Sequence, residues 1–311
     1  MKSLTPLPRP LTGIVPPMVT PLMDRDTLDV EGLERLIEHI TAGGVSGLFI
    51  LGTTGEAPSL SYRLRRDVIT QTCRQVAKRL PVLVGITDTS FVESTSLASH
   101  AAAAGARAVV LSAPYYFPPG QPELLQYLEH IVPELPLPLF LYNMPSLTKV
   151  SFAPETVQAA LHMPGVVGIK DSSGNMPYFH TIRQLLAERR DWSLLIGNEQ
   201  LLGEAVLMGS HGGVCGGANV HPQLFVGLYH AARQGDIAEV RRLHDQVQLF
   251  GRLYQVGHYG SAGIKGLKCA LSCMGICSDF MAEPFHRFEP SERKIVLDIL
   301  SQLGLQPNAS P

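Results

Sequence analysis

A (β/α)8 barrel carrying a helical C-terminal extension is the fold this sequence predicts, and three observations lead to it. Short β-branched runs alternate with longer amphipathic stretches about eight times, the pattern of parallel strands joined by helical crossovers. The first crossover has neither a Gly-x-Gly-x-x-Gly turn nor a phosphate loop, one of which an open doubly wound sheet usually carries. After Ala218 the strands stop and helical periodicity continues alone. The 311 residues are long for an ordinary domain but suit one barrel. Residues 1–12 read as an N-terminal arm, 13–234 as the barrel and 235–311 as the extension.

In order, Gly13–Val15 is the first strand and leads into Pro16-Pro17-Met18-Val19-Thr20-Pro21, after which Val30–Ala42 has helical periodicity. Strands at Gly47–Leu51, Pro81–Ile86 and Ala108–Ser112 alternate with helices at Ser61–Leu80, Phe91–Ala104 and Pro122–Glu134. The second half continues with strands at Leu137–Tyr142, Val166–Lys170, Ser193–Ile196 and, weakest, Gly213–Cys215. Helices at Pro154–His162, Met176–Arg189 and Gln200–Met208 separate them. Pro222–Gln234 supplies the last barrel helix, and Ile237–Tyr254, Ala262–Met274 and Pro290–Leu303 form the extension.

Composition narrows the function. Hydrophobic residues make up 45%, charged ones 17%, and the net charge is −2, so a large core is affordable and neither nucleic acid nor an anionic membrane is an expected partner. The proline-rich start has no apolar segment of the secretory kind, and no apolar run reaches membrane-spanning length. Five cysteines, Cys73, Cys215, Cys269, Cys273 and Cys277, fit reduced cytoplasmic thiols. The last three fall four residues apart, but they lack nearby histidines and zinc-pair spacing, so core packing is expected and no metal or cofactor.

A closed barrel places function at strand ends. Val166-Val167-Gly168-Ile169-Lys170-Asp171 is an apolar run that delivers a lysine to such an end. A buried ammonium is costly, so this lysine is either paired at the rim, for example with Asp171, or tuned to lose its proton. Only the neutral amine attacks a carbonyl. Gly52-Thr53-Thr54-Gly55-Glu56 ends the second strand with exposed backbone N–H groups and hydroxyls, suited to a small carboxylate. Pro114-Tyr115-Tyr116 and Tyr142-Asn143-Met144-Pro145 end the fourth and fifth. A phenol beside an amine is a reasonable proton shuttle. Lys265 and Lys268 are rival amines, one helical turn apart in the extension, where a solvated or helix-packing face is the expectation.

These four motifs, in this order and spacing, make the chain resemble the family of pyruvate-dependent aldolases that includes dihydrodipicolinate synthase and N-acetylneuraminate lyase, from about Leu11 to Leu305. The resemblance implies that Lys170 forms a Schiff base with the ketone of pyruvate or a 2-oxo acid. It implies that Thr54 and the loop backbone at Gly52 hold the carboxylate, and that Tyr142 is the acid/base, linked through Thr53 to Tyr116. In the family that last tyrosine crosses a subunit contact, so a homotetramer built from dimers is implied.

The departures point away from lysine biosynthesis. Where synthases typically read Pro-Ser-Arg-Thr-Gly, this chain has Pro145-Ser146-Leu147-Thr148-Lys149, and leucine makes no bidentate carboxylate contact. Sialic-acid lyases also carry leucine there. Lys149 is a rim lysine or a displaced cation. Gly197-Asn198-Glu199-Gln200 aligns with the turn that reads sugar hydroxyls, with Glu199 as an acceptor, while Gly216-Gly217 replaces hydroxyl residues after the last strand. Leu147, Gly197, Glu199 and Val214 complete the expected substrate contacts. The expected activity is an aldolase or lyase making or cleaving a 2-keto-3-deoxy sugar acid or a 4-hydroxy-2-oxo acid. Dihydrodipicolinate synthase, a dehydratase using the same imine, and a non-catalytic 2-oxo-acid-binding barrel are the alternatives.

Overall fold

The computed structural model describes residues 7–306. Eight parallel strands run β1 (Gly13–Ile14), β2 (Leu48–Ile50), β3 (Val82–Gly85), β4 (Ala108–Ser112), β5 (Leu139–Asn143), β6 (Val166–Asp171), β7 (Ser193–Ile196) and β8 (Gly212–Gly213). Their spatial order is chain order wound once, with β1 beside β8. Pro16 and Pro17 donate nothing to a ladder, which keeps β1 short. Their carbonyls and neighbours still close the barrel. Phe49 N–H donates to Pro16 O at 2.9 Å, and Met18 N–H to Phe49 O at 2.8 Å. Asn219 adds a stitch from the far side, donating from Nδ2 to Pro17 O at 2.9 Å and accepting at Oδ1 from Val19 N–H at 3.1 Å.

The barrel helices are α1 (Val30–Ala42), α2 (Tyr62–Val76), α3 (Phe91–Ala104), α4 (Gln121–Ile131), α5 (Pro145–Thr148), α6 (Pro154–Leu161), α7 (Met176–Leu185), α8 (Leu202–Leu207) and α9 (Pro222–Gln234). Their starts follow from capping side chains. Asp29 accepts from Gly32 N–H at 2.8 Å, Ser61 from Leu64 N–H at 3.1 Å and Asn175 from Tyr178 N–H at 3.1 Å, each satisfying a donor the helix itself cannot. The helix α2 stops four residues short of the expected Leu80, because Ala77 and Lys78 turn left-handed at φ 50° and 66°. The one-turn α5 has no counterpart in the sequence pattern. The last strand starts one residue and ends two residues earlier than expected: a Cβ on Gly212 would stand 1.9 Å from Gly13 O, so only glycine lets β8 approach β1.

Two apolar layers result. The larger lies between strands and helices. The smaller fills the barrel and comprises Leu11, Val15, Phe49, Leu83, Ala108, Val110, Phe140, Tyr142, Val167, Leu195 and Val214. Leu11 is therefore part of the barrel filling, its N–H held by Ser193 Oγ at 2.9 Å, and residues 7–12 lie against the body. Residues 1–6 and 307–311 of the expected arm and extension lie outside the described residues.

Helices α10 (Ile237–Gly251), α11 (Ala262–Cys273) and α12 (Pro290–Gln302) follow. Cys215, Cys269, Cys273 and Cys277 are buried and Cys73 is half-buried, all as free thiols. No helix among the described residues is long and apolar enough to cross a membrane.

Candidate active site

The site begins with an irregularity in β6. Leu139 pairs with Val166, but Phe140 pairs with Gly168, so Val167 is an extra residue. Side chains alternate along a strand, and one inserted residue inverts the alternation beyond it. With Val166 facing the helices and regular pairing onward, Lys170 would face the helices too. The bulge turns it inward, so Val167 and Lys170 both project into the barrel. Gly168 makes this possible, because a Cβ there would stand 2.6 Å from the Phe140 ring and 2.7 Å from Ser193 O.

Inside, the Lys170 ammonium stands 4.0 Å from the centre of the Tyr142 ring and 5.1 Å from that of Phe49. Lys170 is 6% exposed. Its neighbour Asp171 is not its ion-pair partner. That carboxylate faces the other way, accepting from Asn143 Nδ2 at 2.9 Å and Ser173 N–H at 3.0 Å. Burial raises the Asp171 carboxyl, partly offset by those hydrogen bonds. The lysine is thus left facing rings and hydroxyls.

Tyr142 is shaped by two opposed influences. Burial alone pushes its phenol up, but the adjacent Lys170 charge, with hydrogen bonds to Thr53, Lys170 and Ser172, outweighs burial and leaves it below its ordinary value. Thr53 Oγ1 lies 3.3 Å from the Tyr142 hydroxyl. A phenol whose anion is stabilised by an ammonium is suited to accept a proton and return it.

These groups open on a chamber of about 520 Å³ lined by Thr53, Thr54, Tyr142, Lys170, Ser172, Gly197, Glu199 and Val214, with Tyr254, Ile264 and Leu267 from the C-terminal part. Gly197 is required by space: a Cβ there would sit 1.9 Å from Ser172 Oγ and 3.0 Å from Lys170 Cε. Glu199 is buried in the wall. Its two oxygens accept from the Tyr254 hydroxyl at 2.6 Å and from Gly217 N–H at 2.8 Å. Burial pushes this carboxyl up to about 7, against the pull of the Gly217 and Tyr254 hydrogen bonds. Tyr254 in turn is raised by burial and by the Glu199 charge.

The structure thus brings Lys170, Tyr142, Thr53, Thr54, Gly197, Glu199 and Val214 of the predicted residues around one chamber. Gly52 and Leu147 instead line an adjoining cavity of about 250 Å³, which shares Thr53, Tyr142 and Met144 with the chamber and also includes Tyr115, Thr87 and Ser112. We place the chemistry in the larger chamber because it alone contains the amine. Tyr116 lines neither; it is 85% exposed and left-handed at φ 83°. Lys149 donates to Ser146 O at 2.7 Å on the rim. Lys265 lies 5.5 Å from the Phe288 ring centre. Of the solvated or helix-packing face expected for it, Lys268 takes the packed alternative. It is fully buried and ion-paired with Glu56, so it is no rival for a substrate carbonyl. Sequence reasoning assigned no role to Phe49, Ser172 or Tyr254. Ser172 directly follows the quoted lysine motif, but nothing in the sequence joins Tyr254 to a glutamate 55 residues away.

Several known proteins resemble this chain over most of its length. A 4-hydroxy-tetrahydrodipicolinate synthase of Bartonella bacilliformis is 31% identical over 95% of this chain and 99% of that one. A probable 2-dehydro-3-deoxy-D-pentonate aldolase of Escherichia coli is 32% identical over 85% and 88%. Among solved structures, a dihydrodipicolinate synthase from Bacteroides thetaiotaomicron is 57% identical, with a TM-score of 0.92 over 94% of this chain and 99% of that one. A prophage protein of Escherichia coli solved with pyruvate is 29% identical, with a TM-score of 0.89 over 95% and 99%. The model of the dihydrodipicolinate synthetase family matches residues 10–303, and the chain belongs to that family.

Proposed function

We propose that this enzyme forms an imine between Lys170 and a 2-oxo acid and makes or breaks the bond between C3 and C4, releasing or consuming pyruvate. The substrates we assign are 2-keto-3-deoxy sugar acids or 4-hydroxy-2-oxo acids. The observation that carries the reading is the bulge that turns Lys170 into the chamber, over the ring of Tyr142 and away from Asp171.

The steps follow from the placement. The neutral Lys170 amine adds to the C2 ketone, and the carbinolamine loses its hydroxyl as water with a proton supplied through Tyr142. The resulting imine accepts the electrons of the C3–C4 bond as a base removes the C4 hydroxyl proton, freeing an aldehyde. The enamine takes a proton at C3, and hydrolysis returns the lysine and pyruvate. Thr54 and the loop amides bind the 2-oxo acid carboxylate, and Thr53 orients the Tyr142 hydroxyl.

Synthesis of a dihydrodipicolinate precursor is the second reading, favoured by the 57% identity to a structure described as such a synthase. Against it stands Leu147, 54% exposed at the adjoining cavity, where a carboxylate-binding cation is needed. We also assign a cytoplasmic homotetramer. The five free thiols support the first part, and the exposed Tyr116–Phe117 pair the second.

Borohydride reduction with pyruvate, read by intact mass, tests the imine. The wild type gains one reduced pyruvate and Lys170→Ala gains none. If the wild type gains none, the barrel is a binding protein and the aldolase reading falls. Turnover of a panel of 2-keto-3-deoxy acids, against condensation of pyruvate with the synthase's aldehyde, then separates the two enzymatic readings.

A further inference from the structure

We propose that Lys268 and Glu56 are positioning residues: a buried ion pair by which α11 fixes the threonine loop against the chamber. The inference rests on the imine reading above.

Glu56 closes the Gly52–Glu56 loop, its N–H donating to Thr53 O at 3.0 Å. It is left-handed at φ 56°, a conformation that strains a non-glycine residue and persists only where surroundings enforce it. The enforcement is visible. One carboxylate oxygen accepts from the Lys268 ammonium and the other from Ala282 N–H at 2.9 Å. The ammonium also donates to Phe280 O at 2.6 Å. Lys268 is 0% exposed and Glu56 4%. Burial pushes the lysine down, and the Glu56 charge pulls it back up.

A pair sealed this far from water is a weak source of stability, because desolvation offsets the attraction. Its geometry explains it better. Thr53 and Thr54 face the chamber from the front of the loop, while Glu56 is held from behind. The helix that holds it also contributes Gly263, Ile264 and Leu267 to the chamber. The single element α11 therefore sets the distance between the wall it forms and the hydroxyls opposite. Releasing Glu56 lets the loop relax toward ordinary backbone angles, shifting the groups that hold the 2-oxo acid carboxylate and the hydroxyl that orients Tyr142.

The test measures how much pyruvate gives half-maximal borohydride trapping in the full-length protein. Lys268→Met alone leaves an unpaired buried carboxylate and risks unfolding, so the deciding variant is the neutral pair Glu56→Gln with Lys268→Met, which keeps size and removes both charges. Thermal melting is recorded alongside. The expected result is a folded protein, fully trapped at saturating pyruvate, whose half-saturating concentration rises roughly tenfold or more. Faster amide exchange confined to residues 52–56 accompanies it. A folded pair variant with unchanged half-saturation overturns the positioning role while leaving the imine intact. No adduct on the wild type sinks both, so trapping of the wild type itself tells the two failures apart.

Discussion

At the scale of single residues the site is a set of opposed electrostatic environments. Tyr142 is drawn down by an ammonium and Glu199 is pushed up by burial, so the chamber holds two proton-carrying groups with opposite tendencies on different walls. Removing the Tyr142 hydroxyl takes away the proposed acid/base but not the amine. Tyr142→Phe is expected to trap pyruvate slowly while its kcat falls by about 10²- to 10³-fold; unchanged turnover would remove Tyr142 from the mechanism. Glu199 makes a pH prediction. Its folded value of about 7 lies above the ordinary 4.5, so the folded state holds the proton more tightly, and the stability this gives below 4.5 is lost as pH rises through 7. Glu199→Gln lacks that loss. Urea unfolding of both proteins at pH 5 and pH 8 should show the variant gaining on the wild type by on the order of 3 kcal/mol across that interval. Parallel pH profiles would show that Glu199 ionises freely.

At the scale of elements, the bulge in β6 decides whether the enzyme has an active site, and it rests on Gly168. Adding a methyl at Gly168 drives it into the Phe140 ring and Ser193 O. Gly168→Ala is expected to lose ~1–3 kcal/mol of stability and to trap pyruvate poorly. Gly260→Ala, with open space around it, serves as the control and should melt with the wild type. The same strand shows what the sequence tells and what it withholds. Helices such as α1, α3 and α9 are legible to the residue, because an apolar stripe recurs every three to four positions and Asp29, Ser90 or a leading proline marks the start. The presence of Lys170 at a strand end is legible too. Its inward direction is not, because a register shift is a property of the pair β5–β6, and Gly168 within the run hints at a bulge without giving its sense. The partner of Lys268 is hidden for a related reason: a lysine on a helix reads as solvated or packed alike until the Glu56 carboxylate, 212 residues away, is found against it. Tyr254 and the one-turn α5 escape because a lone aromatic and a four-residue helix carry no period.

At the scale of the molecule, an exposed aromatic pair follows directly on Tyr115, a residue of the cavity beside the chamber. Tyr116 and Phe117 stand edge to face at 5.1 Å, 85% and 81% exposed, on a loop that Tyr116 bends into the left-handed region. Two adjacent exposed aromatics on a strained backbone are costly in water and mark a surface that is covered by something. The adjoining cavity, lined by Tyr115, Leu147 and Met144 and bounded by Thr53 and Tyr142, opens beside the chamber. A second copy of the chain, presenting its own Tyr116 there, would bring a further phenol toward Thr53 and complete the proton path that one chain leaves open. Phe117→Glu would put a charge beside Tyr116, where such a contact would form. Light scattering should show the wild type as a four-chain assembly and the variant as a smaller species, with turnover falling together with mass. Tyr116→Phe should keep the assembly and lose turnover alone. A wild type that is monomeric at full activity would mean that Thr53 and Tyr142 exchange protons with solvent directly, and that the exposed aromatics serve another contact.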